Sequence, residues 1–261
     1  MQGDMPELRP LILIPSYNTG PILRQTVTSV LAYQTPTWVV VDGSTDASPK
    51  SLESIVNENF RVIQLEKNSG KGAAILHGLR EAITAGFTHV LCIDADGQHP
   101  AYFIPEFLKL SAAHPEAAIL GRPIFDDSAP ALRVNGRKVS NFWANLETLG
   151  WGVDDSLFGM RVYPAADLLA VFESTKFARR FDFDPEVAVR LAWRGVPIIN
   201  LPTPVCYPSK EEGGISQFRY IRDNVLLTRM HIRLFFGFLL KLPILLFRGE
   251  NPLESINPPS A

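Results

Sequence analysis

Cysteine is nearly absent: Cys92 and Cys206 are the only two in 261 residues. The first sits in an apolar run and the second in a Pro-rich stretch, neither has the spacing of a zinc site, and two cysteines make no disulfide scaffold, so a reducing, cytoplasmic compartment is expected. An excess of charge of either sign is also missing, with 25 Lys and Arg against 27 Asp and Glu. That balance lacks the broad basic footprint of a general nucleic-acid binder, and no nucleic-acid partner is expected. Repeats, low-complexity tracts and an evident linker are lacking too. The N-terminal MQGDMPELRP is acidic, and the LILI that follows is cut by Pro15, which is not the pattern of a secretory leader. The longest apolar run, LFFGFLLKLPILLF, is broken by Lys241 and Pro243. It falls short of the roughly 20 residues needed to cross a bilayer.

What is present is an alternation. Short apolar runs at Leu11–Pro15, Trp38–Asp42, Arg61–Leu65, His89–Ile93 and Ala117–Gly121 read as strands covered on both faces. Helical patterns at Ile22–Tyr33, Pro49–Glu58, Lys71–Gly86 and Ala101–Ala113 lie between them. This rhythm predicts an α/β fold with a mainly parallel, Rossmann-like central sheet flanked by helices. After Gly121 the rhythm changes to a helix over Leu132–Leu149, a strand in FGMRVYP, a helix over Pro185–Gly195 and a strand at Val196–Leu201. The whole is expected to form one catalytic unit, residues 1–215, followed by a different kind of segment, residues 216–261.

In that last segment Phe218, Ile221, Val225, Ile232, Phe235, Phe236 and Leu239 recur near helical spacing. Arg219, Arg222, Arg229 and Arg233 fall on another face. The pattern predicts a basic amphipathic helix able to lie at an anionic membrane surface, peripheral to the bilayer.

The chemistry-bearing residues cluster where strands end. Asp94-Ala95-Asp96-Gly97-Gln98-His99 follows the apolar HVLCI, and the alternation of side chains puts Asp94 and Asp96 on one side. Two hard oxygen donors there suit Mg²⁺ or Mn²⁺ bridging to a diphosphate, although such a pair taken alone is better read as a turn with solvated carboxylates. The second strand ends in VVVDGSTDAS with Asp42, and the first in PSYN with Tyr17 and Asn18. Open α/β sheets bind ligands outside the carboxyl ends of their strands. Asp42 could accept from a ribose or base there, or cap the turn after it. Tyr17 offers a face for stacking.

The glycines of NSGKGAA invite two other readings, and both fail. A P-loop needs glycine where Leu65 stands and Ser or Thr where Gly72 stands. A dinucleotide fingerprint needs glycine where Ile75 stands. Gly70 and Gly72 are better read as letting backbone approach a helix start, with Lys71 either solvated or near the donor.

Taken together, PSYN, VVVDGSTD, NSGKGAAILHGLREA and DADGQHP, in this order and spacing, resemble the family 2 glycosyltransferases of GT-A fold, especially the polyprenyl-phosphate (dolichol-phosphate) sugar synthases. The resemblance runs from about Leu11 to Tyr207. It implies a metal-dependent, inverting transfer of a sugar from a nucleotide-diphosphate donor to a membrane-associated acceptor. It implies donor contacts from Pro15, Tyr17, Asn18, Asp42, Lys71, Asp94, Ala95 and Asp96, and a metal held by Asp94, Asp96 and Gln98, with His99 more positional. Arg122 and Arg133 match arginines set against the reacting phosphates. Arg137 and Arg161 match the acceptor side, where Arg219 and Arg222 of the basic helix would join them. A phosphate acceptor would need no general base, whereas a hydroxyl acceptor would need one, for which Asp155 or Glu186 are the candidates. Asp184, followed by Pro185, reads as a helix cap. The rivals are transfer to a lipid or saccharide hydroxyl and a non-catalytic nucleotide-sugar binder at a membrane.

Overall fold

The computed structural model describes residues 7–125, 131–206 and 220–253. Seven strands form one sheet: β1 (Pro10–Ser16), β2 (Thr37–Asp42), β3 (Phe60–Leu65), β4 (His89–Cys92), β5 (Ala118–Ile124), β6 (Arg161–Pro164) and β7 (Ile198–Pro204). Their spatial order is β3-β2-β1-β4-β6-β5-β7. The expected mainly parallel sheet is present, with one reversal: β6 runs antiparallel to both β4 and β5. The helices are α1 (Ile22–Leu31), α2 (Lys71–Thr84), α3 (Ile104–Ala113), α4 (Ala131–Thr148), α5 (Ala165–Glu173), α6 (Phe183–Trp193) and α7 (Tyr220–Leu246).

Strand alternation divides the core in two. Leu11, Leu13 and Val40 face one side, against α2, α5 and α6, while Ile12, Ile14, Val39 and Val41 face the other, against α1 and α3. The continuous apolar strands follow from this burial on both faces.

The helix expected over Pro49–Glu58 is only a 3₁₀ turn at Lys50–Leu52. In that stretch Leu52 is buried and Val56 almost wholly exposed, so no apolar stripe rewards a longer helix. The side chains of Asp46 and Asn57 bond nearby backbone amides instead. A second correction concerns α6, which begins at Phe183 and not at Pro185, so that Asp184 lies inside the first turn and is not its cap. Pro185 is tolerated there because first-turn amides have no intrahelical acceptor.

α7 continues through Pro243 to Leu246 and has two apolar faces. Leu227, Met230, Leu234, Phe238 and Leu245 are buried against the body, whereas Ile221, Val225, Ile232, Phe236 and Leu239 are exposed. Among the described residues no helix is long and apolar enough to cross a membrane. Phe218 and Arg219 lie outside the described residues, as does the side chain of Arg133 on α4.

Candidate active site

Because β2, β1 and β4 are adjacent and parallel, the segments leaving their carboxyl ends meet at one edge of the sheet. These are Asp42–Thr45, Tyr17–Asn18 and Asp94–Asp96. The loops are tied together by Asn18, whose side-chain oxygen accepts from the amides of Thr45 (2.7 Å) and Asp46 (3.3 Å). Its φ of 46° places it in the left-handed region that asparagine tolerates. Thus Asn18 has a loop-holding task, whatever a donor adds. Pro15 and Ala95 are buried and Tyr17 is half-buried.

Asp42 is 2% exposed, and its two oxygens accept from the amides of Ser69 (2.8 Å) and Gly70 (2.7 Å). Neither oxygen caps the turn that follows Asp42: both fasten the loop that opens α2. Gly70 holds φ 107° there, and a Cβ on it would strike the Arg179 carbonyl, so this residue must be glycine.

Lys71, the first residue of α2, is enclosed and not solvated. Its ammonium lies 2.6 Å from Asp94 Oδ1 and 2.6 Å from Asp184 Oδ2. Burial alone would lower its pKa, but Asp184 and Asp94 outweigh burial and hold it above the ordinary lysine value. For Asp94, burial pushes upward, yet Lys71 and His99 keep the carboxyl well below the usual carboxylate range. Asp96 is raised, first by burial and then by the charge of Asp94, while the Gln98 amide donates to it at 3.0 Å. Asp94 is therefore neutralised within the protein, and Asp96 is the carboxylate left short of positive charge.

The antiparallel strand completes this corner. Cys92 pairs with Arg161 across β4 and β6, which brings Gly159 against the Asp94 carboxylate, where any Cβ would collide with it. His99 Nε2 is 3.6 Å from Asp94 Oδ2 and its ring meets Phe158 edge-on at 4.5 Å, leaving a buried Nδ1 without a partner among the described residues. The sequence left Lys71 undecided, assigned Asp184 to a cap and gave Gly159 no role in the site. Asp182, Asp184 and Glu186 offered only a locally acidic segment, and nothing local signals that the start of α6 meets the start of α2.

Three sequence expectations are corrected. Arg161 is 1% exposed, and it donates to the carbonyls of Phe158 (2.6 Å), Asp184 (2.7 Å) and Asp155 (3.2 Å), so it braces the site from inside and has no surface to offer an acceptor. Glu186 is fully buried and bound to Arg190 and Arg233, which removes it as a general base. Asp155, also buried, accepts from Arg137 at 2.7 Å and from the Leu157 amide. Arg122 pairs at 3.1 Å with Asp154 on the surface, and Arg222 pairs with the adjacent Asp223.

Among the described residues no three His, Cys, Asp or Glu side chains converge as a cage for an ion. Mg²⁺ commonly takes only one or two protein carboxylates and completes its shell with phosphate and water. Asp96, with Asp94 beside it, has the chemistry for that lesser share.

A mainly parallel sheet with one reversed strand, flanked by helices and with acidic residues at its carboxyl edge, is an architecture of GT-A type. The chain belongs to glycosyl transferase family 2, whose model matches residues 11–166. A polyprenol monophosphomannose synthase from Mycolicibacterium smegmatis is 25% identical over 216 residues, 80% of each chain. A UDP-N-acetylglucosamine–dolichyl-phosphate N-acetylglucosaminyltransferase from Methanococcus voltae is 24% identical, over 75% of this chain and 85% of its own. A poly-β-1,6-N-acetyl-D-glucosamine synthase from Staphylococcus epidermidis is 31% identical over 105 residues, 37% of this chain, which thus spans only 25% of that relative. The crystal structure of a mycobacterial protein superposes with a TM-score of 0.63 at 15% identity, covering 89% of this chain and 75% of that one, and so shares the fold.

Proposed function

We propose that this glycosyltransferase moves a sugar, with inversion, from a nucleoside-diphosphate donor to a polyprenyl phosphate at the cytoplasmic face of a membrane. The observation that carries the choice of acceptor is the state of the two general-base candidates. Glu186 and Asp155 are both buried and committed to arginines. A hydroxyl acceptor needs a base, but a phosphate monoester, with a second pKa of about 6, arrives largely ionised. The two relatives aligned over most of their length are named for lipid-phosphate acceptors, which favours the same reading.

In this reaction an acceptor phosphate oxygen forms the new bond to the anomeric carbon. The bond from that carbon to the donor's diphosphate oxygen breaks, and its electron pair leaves with the nucleoside diphosphate. One Mg²⁺ or Mn²⁺ at Asp96 and Asp94 would offset charge on the diphosphate. Lys71 keeps Asp94 ionised and fixed in place. Asp42 holds the loop that opens α2. Arg122 and Arg137, with Arg133, supply cations on the acceptor side, and forked guanidinium donors suit phosphate. Residues 1–215 carry the chemistry in this reading, and 216–261 provide contact with the membrane.

The test is a screen of purified protein against nucleotide sugars, with a short polyprenyl phosphate or a lipid alcohol, in Mn²⁺ or in chelator. Transfer to the phosphate alone, abolished by chelator and reduced about 10²–10³-fold in Asp96→Asn, is the expected result. Equal transfer to the alcohol would replace this acceptor with the hydroxyl class. Nucleotide binding without turnover on any acceptor would leave a binding protein only.

A further inference from the structure

Among the described residues seventeen large hydrophobic side chains are exposed, and thirteen of them lie on α4, on α7 or on the residue just after either helix. Such a concentration marks a docking surface, because scattered exposed apolar residues are the norm and a patch is not. On α4, Val139, Phe142 and Leu146 follow one another at intervals of three and four, and on α7 Ile232, Phe236 and Leu240 follow at intervals of four. The two rows are joined: Phe142 meets Trp143 at 5.7 Å, Trp143 meets Phe235 at 5.9 Å, and Phe235 meets Phe236 at 6.3 Å.

The inner sides of both helices are already occupied. His231 on α7 bridges Glu147 on α4 (3.1 Å) and Ser140 (3.0 Å), while Arg233 reaches Glu186 on α6. The outer rows are therefore not waiting for another part of the described body to cover them.

We infer that the outer faces of α4 and α7 form one surface that docks on an anionic lipid bilayer, with α4 contributing as directly as α7. Charge selects the occupant. The described part of α4 and α7 contains two acids, Glu147 and Asp223, and both are buried. Lys138 and Arg229, by contrast, are exposed within the apolar rows. Lysine is depleted from the cores of protein interfaces, whereas basic residues beside apolar ones are what an anionic interface attracts. α7, about 40 Å long at 1.5 Å per residue, would lie in the plane of the surface. α4 also carries Arg137, paired with Asp155, so docking sets the acceptor side of the site against the bilayer. That last consequence rests on the lipid-phosphate reading, but the docking does not.

The experiment is co-sedimentation of the full chain with phosphatidylglycerol-containing vesicles, compared with neutral phosphatidylcholine vesicles. Phe142→Glu with Leu146→Glu on α4, and separately Phe236→Glu with Leu240→Glu on α7, alter exposed positions and should each lower partitioning about tenfold. Lys138→Glu with Arg229→Glu, which leaves the apolar rows intact, should weaken binding to anionic vesicles only, and added salt should do the same to the unaltered chain. Loss of binding with the α7 pair and none with the α4 pair would overturn the two-helix surface. Failure of the unaltered chain to bind vesicles, with a dimer that both pairs dissolve, would show the surface to join copies of this chain. Transfer to a water-soluble short-chain polyprenyl phosphate is read in parallel, and its absence in the unaltered chain counts against the acceptor and not against docking.

Discussion

Lys71 decides how the acidic corner works. It is the ammonium between Asp94 and Asp184, and its side chain is 11% exposed. Lys71→Met would leave two enclosed carboxylates facing one another, which costs about 3–5 kcal/mol when a buried partner is removed. We expect a lowered denaturation midpoint in urea together with loss of transfer, and unchanged stability would mean that the pair relaxes into solvent. Gly159→Ala acts differently. The added methyl displaces the Asp94 carboxylate without opening the core, so turnover should fall at least about tenfold with nucleotide affinity less affected, as a misplaced catalytic group predicts. His89 gives a pH dependence free of the site. Burial holds its imidazole below the usual histidine range and outweighs the Pro115 carbonyl, 2.8 Å from Nε2, which pulls the other way. The unfolded chain then takes up a proton that the folded chain refuses, so this contribution to stability is full above the unfolded pKa of about 6.5 and is lost as pH falls toward the depressed folded value. His89→Asn should flatten the melting temperature between pH 7 and 5, and an unaltered slope would assign the acid sensitivity elsewhere.

At the scale of elements, α7 is the instructive case. Its periodicity announces an amphipathic helix, and that is what forms, but a helix with two apolar faces shows the same spacing whichever face is buried. The buried one carries Leu234, Phe238 and Leu245, with Arg233 bound to Glu186. A chain ending at Arg229 would therefore lose core residues as well as surface contact. Each large buried side chain removed typically costs about 2–5 kcal/mol, so this truncation should melt well below the full chain and be cleaved faster by protease. An equal melting temperature would make α7 an appendage. The helix expected over Pro49–Glu58 failed for the converse reason, since one buried leucine does not repay the cost of nucleating a helix.

For the whole molecule, the carboxyl edge of the sheet gathers segments far apart in the chain, and a ligand bound across them should stabilise all of them together. Free nucleoside diphosphate at about 100 times its dissociation constant adds roughly 2.7 kcal/mol. We expect thermal-shift scans to show a rise in melting temperature with one nucleoside diphosphate and Mn²⁺ that is reduced to a similar extent in chelator and in Asp96→Asn. A rise that is equal in chelator would separate nucleotide binding from the ion.

The sequence by itself determined all seven strands to within a few residues, the α/β class, the placement of Asp94 and Asp96 at a strand end and the amphipathic C-terminal helix. Each of these is a local property: burial on two faces writes a continuous apolar run, burial on one face writes a 3.6-residue period, and a strand end writes a turn. Tertiary structure alone decided the partners. FGMRVYP reads as a strand, yet nothing in it says that it runs antiparallel between β4 and β5 and so carries Gly159 to Asp94. Arg161 reads as a phosphate contact and becomes an internal brace. Lys71 and Asp184 lie 113 residues apart and share one hydrogen bond. The reason is that a side chain's period fixes the face it points from, whereas its charge partner depends on which distant element packs over that face.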